Sequence, residues 1–312
     1  MVDDPDPGQS GRSRAYDGIL VPTDGSACAR AGARHGIRIA RGFDATVHAV
    51  NVVDAGAGFA PRNLSRSPSE MDEQRAAGET ILDELARHAD REGVDISTEL
   101  IEGGPSEALR DYLTENDVDF VAMGTRGRSN IERHLLGSVT ERLVRTSPVP
   151  VLTVRTEGES TSSERGYTDI LLPTRGGDGS ELAVSHAVAL AAQFDAMLHV
   201  IYVVDVRSQA AKHGTHELES LVDELRASVT DEVVDRADEA GVDSRAVIQQ
   251  GTPHSAIQRY ADGHDVDLVV MGTHGRGRVK QFLLGSITER TIRTADVPVV
   301  AVRLDEWFSS EA

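Results

Sequence analysis

The feature that most constrains this chain is that its pattern is written twice. Pro22-Thr23 returns as Pro173-Thr174, His48 as His199, Asp54 as Asp205, Gly103-Gly104-Pro105 as Gly251-Thr252-Pro253, and Pro150-Val151 as Pro298-Val299. The spacing between equivalent residues drifts only from 151 (Pro22 to Pro173) to 148 (Pro150 to Pro298). Such self-similarity over nearly the whole chain is a tandem duplication of one domain. With 312 residues, 39% of them hydrophobic, each copy is large enough to build its own core.

Within the first copy, apolar runs that read as strands alternate with stretches of helical periodicity. Strands are expected over 18–23, 46–54, 96–101, 120–123 and 148–154. The first helix carries Ala29, Ala33, Ile37 and Ala40 on one side, with Gly42 placed to stop it. A long helix over 70–92 turns Ile81, Leu82, Leu85 and Ala89 inward, and a short one over 107–114 follows Pro105, which suits a helix start. The Gly/Pro/Ser-rich stretch 55–69 reads as a lid or a disordered excursion. Strands alternating with helices imply a parallel, doubly wound sheet. The expected fold is α/β: two tandem doubly wound, Rossmann-like domains, each with a five-stranded, mostly parallel sheet. Boundaries fall at a disordered tail 1–15, a first domain 16–155, a Glu/Gly/Ser/Thr-rich linker 156–166 and a second domain 167–304. Trp307 and Phe308 form an apolar pair expected to dock on a neighbouring surface.

Chemistry concentrates at Gly124-Thr125-Arg126-Gly127, followed after nine residues by Gly137-Ser138, and again at Gly272-Thr273-His274-Gly275 and Gly285-Ser286. Each motif begins where a buried strand ends, and in α/β sheets ligands bind at the carboxyl ends of strands. Glycine permits φ > 0 and close approach, so successive N–H groups can converge on an anion. Arg126, Arg128, Arg276 and Arg278 add positive charge. Ser138-Val139-Thr140-Glu141 and Ser286-Ile287-Thr288-Glu289 also read as capping boxes, so each serine is either a helix cap, part of an anion site, or both. One G-x-x-G is commonly a turn; two copies of the whole pattern carry the anion-site assignment.

The formal charge of −19, from 51 acidic and 32 basic residues, argues against binding nucleic acid or an anionic membrane through overall charge. Lys212 and Lys280 are the only lysines, a surface that matches either adaptation to high salt or a genome favouring arginine codons. Cys28 is the single cysteine, which excludes an intrachain disulfide and a cysteine-based metal site and favours an intracellular compartment. No apolar run reaches membrane-spanning length and the first fourteen residues lack a signal-peptide core, so a soluble cytoplasmic protein is expected.

These motifs, with a first strand ending Pro22-Thr23-Asp24-Gly25-Ser26 and a second ending Val52-Val53-Asp54, resemble the universal stress protein family in tandem form, in its adenine nucleotide alpha hydrolase-like fold. In that family the glycine motif marks members that bind ATP. The resemblance implies phosphate and ribose contacts from Gly124, Gly127, Gly137 and Ser138, adenine near Val52, and Asp24 facing the nucleotide. In the second copy it implies Gly272, Gly275, Gly285, Ser286 and Val203. Pro22, Thr23, Met123, Arg126, Arg128, Val139 and Thr140 complete the first candidate site. Thr174, Met271, His274, Arg276, Ile287 and Thr288 complete the second. The ligand is ATP, with ADP or AMP as alternatives and Mg²⁺ or Mn²⁺ accompanying it, Asp24 being the candidate metal ligand. The resemblance further implies pairing of the halves as an internal pseudo-dimer through their fifth strands, with a homodimer of whole chains and an unidentified regulatory protein as further partners. One departure separates the copies: Arg175 stands where the first has Asp24, with Asp178 three residues on.

The remaining constellations are weaker. His213 and His216 in a polar stretch lack a third partner, and His35 with His186, like His48 with His199, sit at equivalent places in the two copies, which points to inherited packing. Walker A, G-x-S-x-G and H-E-x-x-H signatures are absent. A binding protein that senses nucleotide is therefore expected first, a slow metal-dependent ATPase or other adenine-nucleotide hydrolase second, and a scaffold without nucleotide third. The charge excess yields a prediction that needs no structure. Added salt should raise the melting temperature as self-repulsion is screened, with a Debye length of roughly 10 Å at 0.1 M. A melting temperature that stays flat or falls between low and molar KCl would contradict it.

Overall fold

The computed structural model describes residues 15–54, 67–127, 136–155, 166–176, 180–204, 229–273 and 284–303. The first half runs β1 (Gly18–Pro22), α1 (Ala27–Phe43), β2 (Thr46–Val53), α2 (Pro68–Arg91), β3 (Ile96–Glu102), α3 (Pro105–Glu115), β4 (Phe120–Gly124), α4 (Ser138–Thr146) and β5 (Val151–Val154). The second half contributes β6 (Asp169–Pro173), α5 (Glu181–Phe194), β7 (Met197–Val204), α6 (Asp231–Glu239), β8 (Ser244–Gln250), α7 (Pro253–Gly263), β9 (Leu268–Gly272), α8 (Ser286–Thr294) and β10 (Val299–Val302).

The ten strands form one sheet in the order β3-β2-β1-β4-β5-β10-β9-β6-β7-β8. Pairing is parallel within each half. It becomes antiparallel only where β5 meets β10, with Val151 opposite Ala301 and Thr153 opposite Val299. A short, wholly buried strand left as an edge would offer unpaired N–H and C=O groups to any passing chain; here each half closes the other's edge. Helices cover both faces, and the apolar core on each face runs unbroken from one half into the other.

Local chemistry sets several boundaries differently from the sequence expectation. The long helix starts at Pro68, because Ser67 and Glu70 form a reciprocal capping box and Pro68 fits the first turn. Residues 67–69 thus belong to the helix start and not to the preceding loop. Gly42 does not stop α1; Asp44, in the left-handed conformation, caps it. Gly42 answers instead to packing between halves, since a Cβ there would lie 2.9 Å from Phe194 Cζ. The fifth strand begins at Val151, after Pro148 and Pro150. The tail 1–14, the stretch 55–66, the linker 156–165, His213, His216, Trp307 and Phe308 lie outside the described residues.

Opposite β5 and β10, the junction is completed by aromatic and imidazole side chains exchanged between halves. Tyr16 Oη hydrogen-bonds His186 Nδ1 at 2.8 Å, and Tyr167 Oη hydrogen-bonds His35 Nδ1 at 2.7 Å. Both tyrosines are buried. Phe43 packs edge-on against Tyr16 and Phe194, and Phe194 packs edge-on against Tyr167. The histidine pair is therefore packing, as its duplicated placement suggests, but each ring packs into the opposite copy. Burial, with Arg38 and Arg34 nearby, lowers His35 to about 3, and burial lowers His186 to about 4. The same burial raises the Tyr16 and Tyr167 phenols.

A pH dependence follows. Both imidazoles are neutral when folded, while in the unfolded chain they take up protons below about pH 6.5. Their folded values are depressed, so the stability they allow is present above that pH and is lost as pH falls toward 4 and then 3. Linkage puts the loss at about 1–2 kcal/mol per histidine by pH 5. The check is the difference in melting temperature between pH 7 and pH 5 for the native chain and for His35→Gln/His186→Gln. The variant should lose distinctly less, and an equal loss in both proteins would refute the assignment.

Candidate functional site

In each half the strand order reverses direction between the first and fourth strands, β1 with β4 and β6 with β9. Crossovers leave these neighbours to opposite sides, so a crevice opens at their carboxyl ends. The registers show it opening: β1 and β4 pair only at Ile19–Phe120 and Leu20–Val121, and β6 and β9 only at Ile170–Leu268 and Leu171–Val269. Beyond those pairs the chains diverge toward Pro22-Thr23-Asp24 and Met123-Gly124 in one half and toward Thr174 and Met271-Gly272 in the other.

The first crevice is floored by the loop leaving β4. Thr125 N donates to Val154 O at 2.8 Å, Gly137 N to Thr125 O at 2.8 Å, and Thr140 Oγ1 to Gly124 O at 2.9 Å. The loop is thereby held between the end of its strand and the start of α4. The second half repeats the last two bonds, Gly285 N to Thr273 O at 2.7 Å and Thr288 Oγ1 to Gly272 O at 2.8 Å. Thr125, Thr140, Thr273 and Thr288 are buried; the Thr140 and Thr288 hydroxyls are satisfied by spanning the loop, whereas Thr125 Oγ1 has no hydrogen-bond partner among the described residues. The regular Gly-x-x-Gly spacing showed where the loop lies; the two threonine struts that hold it follow from the fold.

The serines of the motif are not caps. Gly137 and Gly285 occupy the N-cap positions, Ser138 and Ser286 are the first helical residues, and no side chain caps either helix. The capping-box expectation is therefore corrected. Glu141 and Glu289 turn away to pair with Arg145 and Arg293, each at 2.7 Å and one helical turn on. The first-turn N–H groups of Ser138, Val139 and Thr140, and of Ser286, Ile287 and Thr288, have no intrahelical partner at the crevice end of each helix, a geometry suited to an anion. The N–H groups of Gly137 and Gly285 are already engaged by the loop.

The glycines have separate reasons. Gly137 and Gly285 have ordinary negative φ (−64° and −59°), so close approach and not left-handed backbone explains them. A Cβ on Gly137 would sit 3.2 Å from Thr125 O. Gly124 is required by packing, because a Cβ there would lie 2.4 Å from the Cys28 backbone in α1. Gly127 faces a carboxylate: a Cβ on it would lie 2.5 Å from Asp24 Oδ2. Asp24 Oδ1 accepts from Ser26 N at 2.9 Å, and Ser26 Oγ donates to Arg126 O at 3.3 Å while also capping α1 through Ala29 N. Ser26, which the sequence offered only as the end of the Pro-Thr-Asp-Gly-Ser motif, thus ties the start of α1 to the loop after β4.

Where the halves differ is the turn after the first strand. Its backbone is the same in both: Gly25 and Gly176 take positive φ (73° and 66°), and their N–H groups donate to Thr23 Oγ1 and Thr174 Oγ1. On that shared backbone Asp24 is partly buried and Arg175 is exposed. In sequence, Gly177, outside the described residues, stands where the first half has Ser26. Val52 and Val203 are partly buried and pack against the apolar cluster that includes Met123 and Met271. Pro22 lies buried at the end of β1. Arg128, Asp178, His274, Gly275 and Arg276 lie outside the described residues. Among the described residues no cluster of three or more His, Cys, Asp or Glu is placed to hold a metal. No described helix is long and apolar enough to cross a membrane.

Comparison with known proteins agrees with the duplication. The model of the universal stress protein family matches residues 15–155 and again 166–303. A universal stress protein of Methanocaldococcus jannaschii is 37% identical over 142 residues, covering 45% of this chain and 82% of the relative. One of Mycobacterium tuberculosis is 26% identical over 300 residues, covering 94% of this chain and 99% of the relative. The crystal structure of a universal stress protein from Archaeoglobus fulgidus superposes with a TM-score of 0.71 at 23% identity, covering 94% of this chain and all of that one, which supports the fold. With the family model matched twice across most of its length, the chain belongs to the universal stress protein family.

Proposed function

We propose that this protein is an intracellular stress-response regulator that binds ATP, or ADP or AMP in its place, in the crevice of each half, and that nucleotide occupancy sets its conformation or partner choice. One observation carries the reading: in both halves a glycine loop braced by buried threonines delivers an uncapped helix N-terminus to the crevice where the sheet's winding reverses. A triphosphate supplies the oxygens such N–H groups lack, and the helix dipole favours its charge. Val52 and Val203 give the adenine an apolar surface, and Gly127 leaves room for phosphate beside Asp24. A cytoplasmic location and a regulatory protein partner belong to the same reading.

The two sites differ in electrostatics. A carboxylate beside phosphate repels it unless a divalent cation neutralises it, so the first site would take its nucleotide with Mg²⁺ or Mn²⁺, Asp24 being the residue that would hold the cation. At the second, the Arg175 guanidinium meets phosphate oxygens by charge-assisted hydrogen bonds and no cation is required.

The test separates the sites with Gly137→Val, which leaves only the second, and Gly285→Val, which leaves only the first. Calorimetric titration with ATP should show the first site losing at least about tenfold in affinity when EDTA replaces Mg²⁺, or about 1.4 kcal/mol, while the second is unchanged. Equal losses would remove the role given to Asp24 and Arg175, and no binding to the native chain would remove the nucleotide reading. Gly127→Val should weaken only the first site, because its side chain would displace Asp24. Phosphate release over multiple turnovers with metal would turn the reading from binding to hydrolysis.

A further inference from the structure

Arg155 and Arg303 hold equivalent places, each directly after the last strand of its half. Their side chains cross to the other half. Arg155 Nη1 donates to Arg293 O at 3.2 Å, in the last turn of α8, and Arg155 Nη2 pairs with Asp296. Reciprocally, Arg303 Nη1 donates to Thr146 O at 2.7 Å, the last residue of α4. These are the two helices whose N-termini end in the glycine loops. Each spans nine residues, about 13 Å, from its own crevice to the other half's arginine.

The main chain beside each arginine braces its own half's loop. Val154 O accepts from Thr125 N, and Arg155 O accepts from Arg126 Nη2 at 3.3 Å and Cys28 Sγ at 3.0 Å. Val302 O accepts from Thr273 N at 2.9 Å. Arg155 is thus a strut of the first crevice through its backbone and a cap on the second crevice's helix through its guanidinium. Its side chain is only 17% exposed, although its partner Asp296 is 76% exposed.

We propose that the two crevices are energetically coupled through these crossed arginine caps, so that filling one tightens the other; this rests on the nucleotide reading above. The physical reason is shared ordering. An anion at the N-terminus of α8 and a cation at its C-terminus stabilise the same helix dipole, and holding α8 holds Arg155, whose carbonyl orders Arg126 and Cys28 at the first crevice. Once one site has been ordered, the second ligand meets less ordering cost, which gives positive cooperativity. Linkage makes the effect reciprocal, with a factor of about five or more.

The experiment compares ATP titrations, with Mg²⁺, of the native chain, of the Gly137→Val and Gly285→Val single-site proteins, and of Arg155→Gln/Arg303→Gln. The native chain should bind its second equivalent at least about fivefold tighter than the matching single-site protein, and the arginine variant should bind both equivalents with the single-site affinities. A second readout needs no affinity comparison: ATP added to Gly285→Val should slow amide exchange at Ile292 to Ala295, and this protection should vanish when Arg155→Gln is added. If the double variant opens the junction between the halves, seen as a larger hydrodynamic radius, Arg155→Lys replaces it and must reduce the coupling. Independent sites in the native chain, one site only, or coupling that survives the arginine changes would each overturn the proposal. A native chain that binds no nucleotide at all would instead overturn the reading on which it rests.

Discussion

The structure depends on one pairing, the antiparallel contact of β5 with β10. Each of these strands is four residues long and buried throughout, so neither half has a finished sheet alone. Pairing them satisfies two otherwise exposed edges at once and makes the apolar layers on both faces continuous. The exchanged tyrosine and histidine side chains then fix the halves at a second level, on the α1 and α5 face. Their bonds join residues 132 and 170 positions apart, so they form only when both halves are folded.

The same pairing places the crevices. Because β5 ends beside the loop leaving β4, and β10 beside the loop leaving β9, the strands that join the halves also brace the glycine loops. The core of the junction and the floor of the sites are one structure. A duplicated chain built this way keeps two crevices in fixed relation while leaving each free to diverge in side chains. The turn after the first strand shows this divergence: its backbone is retained through Gly25 and Gly176, and its charge is inverted between Asp24 and Arg175.

Universal stress protein membership accounts for the duplicated fold. The departures between halves are particular to this chain. Ser26 ties α1 to the first loop, and the second half has Gly177 at the equivalent sequence position. Asp296 adds a second partner for Arg155, and Pro148 stands at the equivalent place in the first half. The two crevices are therefore not chemically equivalent, even though the folds are.

The sequence by itself determined the duplication, the alternation of strands and helices, and the position of the glycine loops at strand ends. These are signals carried by neighbours along the chain: apolar periodicity, a proline at a helix start, glycine where a strand stops. Only the tertiary structure decided what each signal serves. Ser138 and Ser286 carry a capping pattern, yet Gly137 and Gly285 are the N-caps, because the loop's bonds from Gly137 N to Thr125 O and Gly285 N to Thr273 O fix where each helix begins. Gly42 has the look of a helix stop, yet it makes room for Phe194 of the other half. His35 and His186 read as packing, but their partners, Tyr167 and Tyr16, could be named only once the halves were docked. Arg155 carried no signal at all, since its significance lies in contacts about 140 residues away, and no local pattern encodes a contact that the assembly of the sheet creates.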